Sequence, residues 1–133
     1  MKTTLRGKTK GVTIDTNGPV IIIGECINPT RRKKLVFDLQ EGIFGYVLEL
    51  AENQINAGAD ILDVNVGFPG VDDVRLLPQT VLAIRNKFDI PLCLDSPNPK
   101  AIEAALKVAG GKCLINSVNG EEKSLNALLH IAR

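Results

Sequence analysis

The sequence predicts an α/β fold in which a parallel sheet is covered by helices. Three observations lead there. From Pro19 onward, apolar β-branched runs alternate with segments of helical spacing, four times over. The runs are continuous rather than alternating, as expected of strands buried on both faces. Each run also ends in polar residues: Glu25 and Asn28, Asp63 and Asn65, Asp95 and Ser96, Asn116 and Ser117.

Residues 1–18 read as an N-terminal extension holding a short strand or hairpin. Val12 and Ile14 alternate with polar residues, and Asn17-Gly18 signals a turn. PVIIIGECIN, beginning at Pro19, is the first long strand. One helix is expected over DLQEGIFGYVLELAENQINAGAD, where Phe37, Phe44, Val47 or Leu48, Ala51 and Ile55 recur at threes and fours. Gly58 suits its C-cap, and Gly42 and Gly45 each weaken its first part by ~1 kcal/mol relative to Ala.

ILDVNVG is the second strand, and DDVRLLPQTVLAIRNKF the second helix, with Val81, Ile84 and Phe88 on one side. Pro78 is expected near that helix's first turn, because further in it removes a hydrogen bond. IPLCLDS is the third strand. Asn98-Pro99 then gives an N-cap followed by proline at the first helical position. Ile102, Leu106 and Ala109 mark a buried face, and Gly110-Gly111 end the helix. CLINS is the fourth strand, and Asn119-Gly120 turns the chain. Glu121 and Glu122 stand where a helix N-terminus favours negative charge. Leu125, Leu128 and Leu129 then give an apolar stripe.

Composition narrows the function. The 133 residues are 44% apolar and 23% charged, which suits one small domain. Such a chain buries roughly two-thirds of its unfolded surface and does not depend on disulfides. A net charge of +1 argues against a nucleic-acid partner, and 4% aromatics without Trp argue against stacking platforms. No apolar run approaches the ~20 residues of a bilayer span, so no membrane partner is expected. MKTTLRGKTK lacks the apolar core of a signal peptide. The three cysteines are odd in number and form no CxxC, so a reducing, cytoplasmic location is expected.

The polar strand ends carry the chemistry. In parallel α/β folds ligands bind beyond the carboxyl ends of strands. Side chains alternate along a strand, so Asp63 and Asn65 share a face, as do Cys93 and Asp95, and Leu114 and Asn116. A ring of acids and amides suits a flat polar heterocycle with both donors and acceptors. The plainer reading is that these residues cap strands and the helices that follow. GxxxxGK[ST], GxGxxG and HExxH are all absent, so phosphate cradles and zincin chemistry find no support. His130 is the one histidine and reads as a surface residue, which removes a Ser-His-Asp triad. Cys26, Cys93 and Cys113 fall at different heights and read as buried thiols rather than as a zinc site. Arg31-Arg32-Lys33-Lys34 either attracts an anionic ligand tail or acidic partner, or is a solvated loop.

Taken together, IIIGECINPTRRKKL, ADILDVNVG, IPLCLDS, PKAIEAAL and CLINSVNGEE resemble the pterin-binding family. The likeness runs from about Thr9 to the C-terminus. It is greatest to methyltetrahydrofolate:corrinoid methyltransferases and to the folate domain of cobalamin-dependent methionine synthase. The resemblance implies a TIM-barrel-like (β/α) repeat binding a pterin at its C-terminal face. It implies transfer of the N5-methyl of methyltetrahydrofolate to the cobalt of a corrinoid (cobalamin) carried by a partner protein, with no metal bound by the chain itself. Asp95 and Asn116 match the family's pterin-binding Asp and Asn. Glu25 and Asn28 match its first-strand pair, and Asp63 and Asn65 its second-strand pair.

Two positions depart from the family's pattern. Cys26 stands where GERIN has Arg, and Arg31 where NPTG has Gly. A complete barrel takes ~250 residues. Residues 1–133 are therefore expected to form a partial pterin-binding domain, an N-terminal half barrel of four βα units, with the catalytic residues expected on later strands. Unpaired edges would favour a homodimer or other self-association. Two other readings stand beside the methyltransferase: a dihydropteroate synthase-like transferase, and a non-catalytic pterin-binding module or truncated fragment.

Overall fold

The computed structural model describes residues 1–133. The chain runs β1 (Lys2–Arg6), β2 (Gly11–Asp15), β3 (Ile23–Ile27), α1 (Lys33–Gln40), α2 (Gly45–Asn56), β4 (Ile61–Asn65), α3 (Asp73–Lys87), β5 (Leu92–Asp95), α4 (Pro99–Ala109), β6 (Leu114–Asn116) and α5 (Glu122–Ile131). β3, β4, β5 and β6 lie side by side in chain order, all parallel. β1 and β2 form a separate antiparallel hairpin, with Lys2 opposite Asp15 and Arg6 opposite Gly11.

The helices cover one face of the sheet. Ile27, Leu62, Val64, Leu92 and Leu94 point toward them and pack in one core with Leu35, Val47, Leu77, Ile84 and Ile102. The other face is lined at its lower end by Ile61 and Cys93, and the hairpin covers them with Leu5 and Val12. Leu5 is only 1% exposed; burying such a side chain contributes roughly 1.5–3 kcal/mol. The hairpin is tied to the sheet where Arg6 and Lys112 exchange backbone hydrogen bonds at 2.9 and 3.0 Å. Gly111, at φ 76°, lies against the Arg6 and Gly7 carbonyls, where no Cβ fits. No helix is long and apolar enough to cross a membrane.

Several expectations need correction. The first helix is two helices. At Gly42, φ is 68°, and the Gly42 and Ile43 N–H groups turn back to the Leu39 and Asp38 carbonyls, so α1 ends in a Schellman motif. Gly42 therefore stops a helix rather than weakening one. Phe37 is 59% exposed, and Leu35 and Leu39 carry the buried face of α1. Gly58 closes α2 through the same motif, its N–H bonding the Ile55 carbonyl at 3.0 Å. The first long strand begins at Ile23, not Pro19.

Pro78 sits in the second turn of α3, not the first. Its ring lies on a half-buried face, while Leu76, Leu77, Thr80 and Val81 make the packed side. Of the α5 stripe only Leu128 is buried; Leu125 and Leu129 are exposed. Asn98 caps α4 as its sequence predicts, its Oδ1 accepting the Lys100 N–H at 3.1 Å.

Candidate functional site

The register of the parallel sheet stacks polar side chains in two tiers on the face away from the helices. Asn65 pairs with Asp95, and Asp95 with Asn116, along the upper tier at the carboxyl end. Asp63, Cys93 and Leu114 form the tier below. The period of two in three neighbouring strands puts these residues on one surface. The apolar residues between them (Leu62, Val64 and Leu94) face the helices.

Hydrogen bonds run within the upper tier and between the two tiers. Asn65 donates Nδ2 to Asp95 Oδ2 at 3.0 Å, and its Oδ1 accepts the Gly67 N–H at 2.7 Å. Asn116 donates Nδ2 to Asp63 Oδ2 at 3.2 Å across the intervening β5. Glu25 shares an open hollow of about 420 Å³ with Asp63, Cys93 and Asn116. The sheet thus gathers Glu25, Asp63, Asn65, Asp95 and Asn116. Asn28 is not gathered with them: its Oδ1 accepts the Thr30 N–H at 3.0 Å and shapes the loop before α1.

The site is acidic and has no countercharge. The ion pairs of the chain are Lys2–Asp15, Arg75–Asp72 and Lys87–Glu52, so none involves Glu25, Asp63 or Asp95. Asp63 is only 6% exposed. Burial raises its carboxyl above the usual range, aided by the charges of Asp95 and Glu25 and opposed by hydrogen bonds from Asn116 and Cys93. Burial and the neighbouring Asp63 push the Cys93 thiol up, so it stays a neutral donor. Cys113 packs on the helix side, opposite Cys93. No group of three His, Cys, Asp or Glu side chains is arranged to hold a metal ion.

One contributor escapes sequence reading. Asp73, in the first turn of α3, accepts the Ser96 hydroxyl and the Asn98 amide, both at 3.0 Å. It braces the loop that follows Asp95. Its only sequence signal is an acid at a helix start, which reads as a dipole contact. A second hollow, of about 670 Å³, lies between the loops after β3 and β4. Arg31, Arg32 and Lys33 rim it, with Phe37 and Phe68 in its walls. Arg31 holds φ 58° at the turn into α1.

Chemically, the upper tier offers acceptors. Asp95 and Asn116 each commit one side-chain atom to the protein and leave an oxygen, Oδ1, for a ligand. Carboxylate and amide oxygens this close suit an edge of adjacent N–H groups.

Comparison with known proteins identifies the family. The profile of the family described as pterin binding enzyme matches residues 32–133. The methionine synthase of Mycobacterium tuberculosis is 31% identical over 103 residues, which is 77% of this chain and 9% of that protein. The methylcorrinoid:tetrahydrofolate methyltransferase of Eubacterium limosum is 30% identical over 113 residues, 83% of this chain and 40% of that protein. Among solved structures, Burkholderia cenocepacia dihydropteroate synthase superposes with a TM-score of 0.56 at 25% identity, covering 95% of this chain and 40% of that one. Xanthomonas albilineans dihydropteroate synthase gives a TM-score of 0.64 at 20% identity, covering 97% and 47%. The chain thus spans less than half the length of these relatives, and its fold is part of a (β/α) barrel.

Proposed function

The chain belongs to the pterin binding enzyme family, and from that membership we propose that it binds methyltetrahydrofolate and serves transfer of the N5-methyl group to a corrinoid carried by another protein or domain. The named relatives at about 30% identity support the methyl-transfer chemistry. The observation that carries the binding half is the tier Asn65–Asp95–Asn116, in which Asp95 and Asn116 each leave one oxygen free as an acceptor at the carboxyl end of the sheet.

In this reading residues 1–133 are a pterin-binding unit and residues 1–18 an extension beneath it. Asp95 accepts from the pterin's N–H groups through a charge-assisted pair. Asn116 adds an acceptor beside it, and Glu25 shares a hollow with Asn116 and Asp63. The departing N5 is a poor leaving group and must gain positive character as the methyl leaves; none of these residues is assigned that proton. The open edges of β3 and β6 leave room for further strands, from a longer chain or from a second copy in a homodimer. The reading places the protein in the cytoplasm, in keeping with three cysteines that form no disulfide.

The experiment is calorimetric titration with methyltetrahydrofolate of the wild type, Asp95→Ala and Asn116→Ala. Removing a charged acceptor costs roughly 1.5–3 kcal/mol, about ten- to a hundredfold in affinity. Unchanged affinity in both variants overturns the assignment. Methyl transfer to a reduced corrinoid protein then tests the reaction.

A dihydropteroate synthase-like reaction is the second reading. The hollow rimmed by Arg31, Arg32 and Lys33 favours it, since that reaction needs a site for a diphosphate. Turnover of a pterin diphosphate, measured beside turnover of methyltetrahydrofolate, separates the two.

A further inference from the structure

The polar cluster contains two cross-strand bonds of the same kind. In each, an amide NH₂ meets a carboxylate: Asn65 with Asp95, and Asn116 with Asp63. An ionised carboxylate can only accept. Each pair therefore has a fixed direction. Asn116 must turn Nδ2 toward Asp63, which leaves its Oδ1 for a ligand. Asn65 has no such freedom, because its Oδ1 is held by the Gly67 N–H.

We propose that Asp63 is a positioning residue that sets the hydrogen-bond polarity of Asn116, so that the site presents acceptors and selects a 2-amino-4-oxopyrimidine edge over its 2,4-dioxo counterpart. The inference rests on the pterin reading of this site and gives Asp63 a role apart from direct ligand contact. Without Asp63 the amide of Asn116 is free to turn, and an amide that turns serves donors and acceptors alike. A site whose buried polar groups are left unpaired rejects the wrong ligand far more strongly than a site that adapts.

The surroundings of Asp63 make its polarity sensitive to protons. The titratable groups facing it are Glu25 from β3 and Cys93 and Asp95 from β5, and Asn116 faces it from β6. Burial and the two carboxylates raise its carboxyl. Once protonated, Asp63 is a donor and can give its proton to Asn116 Oδ1, which removes the acceptor offered to the ligand.

The test compares wild type, Asp63→Asn and Asp63→Ala. Affinity for 2-amino-4-oxopteridine and for 2,4-dioxopteridine is measured by calorimetry. In parallel, the side-chain NH₂ signals of Asn116 are followed by NMR across pH without ligand. The wild type is expected to prefer the amino compound by about tenfold or more. Asp63→Ala is expected to narrow this preference several-fold, the part owed to Asn116, while Asp95 keeps the rest. The isosteric Asp63→Asn falls between, because its amide can accept or donate. In the ligand-free spectra the Asn116 NH₂ pair should shift as Asp63 titrates, and this step should vanish in Asp63→Asn. An unchanged preference in a folded Asp63→Ala, or Asn116 signals indifferent to Asp63, overturns the inference and leaves the pterin reading intact. A wild type that binds neither pteridine overturns the pterin reading and the ligand half of the inference, while the spectra still decide whether Asp63 holds Asn116.

Discussion

The carboxylate of Asp89 accepts both the hydroxyl and the backbone N–H of Thr9, 80 residues earlier in the chain. The N–H groups of Lys8 and Lys10 converge on the same carboxylate, at 2.5 and 3.1 Å. One side chain two residues past the end of α3 thus gathers the whole hairpin turn and fastens β1–β2 beneath the sheet. These bonds, that of the Thr9 hydroxyl first, hold the Asp89 carboxyl at about 2, below its ordinary 3.8.

A carboxyl depressed in the folded state adds stability above its unfolded pKa and loses it as pH falls through the folded one. The window for Asp89 therefore runs from 3.8 down to about 2. The amide signals of Lys8, Thr9 and Lys10 are expected to titrate together with a midpoint near that lower value. Asp89→Asn should abolish this step. Amides that titrate independently of one another would refute the clamp.

Asp63 carries the opposite sign. Its carboxyl is raised, chiefly by burial, so the folded state holds the proton more tightly than the unfolded chain. Stability then falls as pH rises from 3.8 through the folded pKa, so ionising the group costs stability. Asp63→Asn keeps an acceptor for Asn116 and removes the charge. It is expected to melt at a higher temperature than wild type at pH 7, with the gap closing toward pH 3.8. A lower melting temperature at pH 7 would show that the charge itself holds the tiers together. A gain in stability alongside a loss of ligand selectivity is the usual signature of a functional polar group.

Gly24 and Gln54 form a tight pair between β3 and α2. A Cβ at Gly24 would meet the Gln54 amide, which is buried and fixed at both ends: Oε1 accepts the Cys26 N–H at 2.8 Å, and Nε2 donates to the Leu50 carbonyl at 3.1 Å. Gly24→Ala is therefore expected to destabilise by ~1–3 kcal/mol, measured by urea unfolding. The cost should shrink in a Gln54→Ala background, where the space is vacant. Additive costs in the double variant would place the strain elsewhere.

How much of this was legible in the sequence follows the range of the interactions. The four βα units and their polar strand ends are local patterns of period and punctuation, and they read correctly. The Asn98-Pro99 helix start is equally local. The break between α1 and α2 was missed because a glycine inside a helical pattern is tolerated as often as it terminates one. The burial of Leu5 and Val12 against Ile61 and Cys93 leaves no local trace. The Asn116–Asp63 bond spans 53 residues. Alternation put both residues on one face, but only the packed sheet joins them. The sequence therefore names Glu25, Asp63, Asn65, Asp95 and Asn116, adds Asn28, which the fold keeps in the loop before α1, omits Asp73, and leaves the direction of the bonds open.

Arg85 is the buried cation of the helix-side core, and its loss should cost the most. It is 2% exposed, near the C-terminus of α3. Its Nε donates to the Ala109 carbonyl at 2.5 Å, which caps α4, and its Nη1 donates to the Ile90 carbonyl just before β5. Two helices and a strand entry therefore depend on one guanidinium. Nη2 is buried without a hydrogen-bond partner, so part of the desolvation cost is not recovered by the fold. Hydrogen bonds to a charged group contribute roughly 1.5–3 kcal/mol each. Arg85→Ala removes both, orphans two carbonyls and leaves a cavity, for a loss of about 3–5 kcal/mol. Arg85→Met keeps most of the packing volume and removes the unpaired charge, and is expected to lose roughly half as much. Urea unfolding of the two variants separates these contributions. If Met loses as much as Ala, the carbonyl bonds dominate; if Met matches wild type, the guanidinium serves as volume and its hydrogen bonds add nothing net.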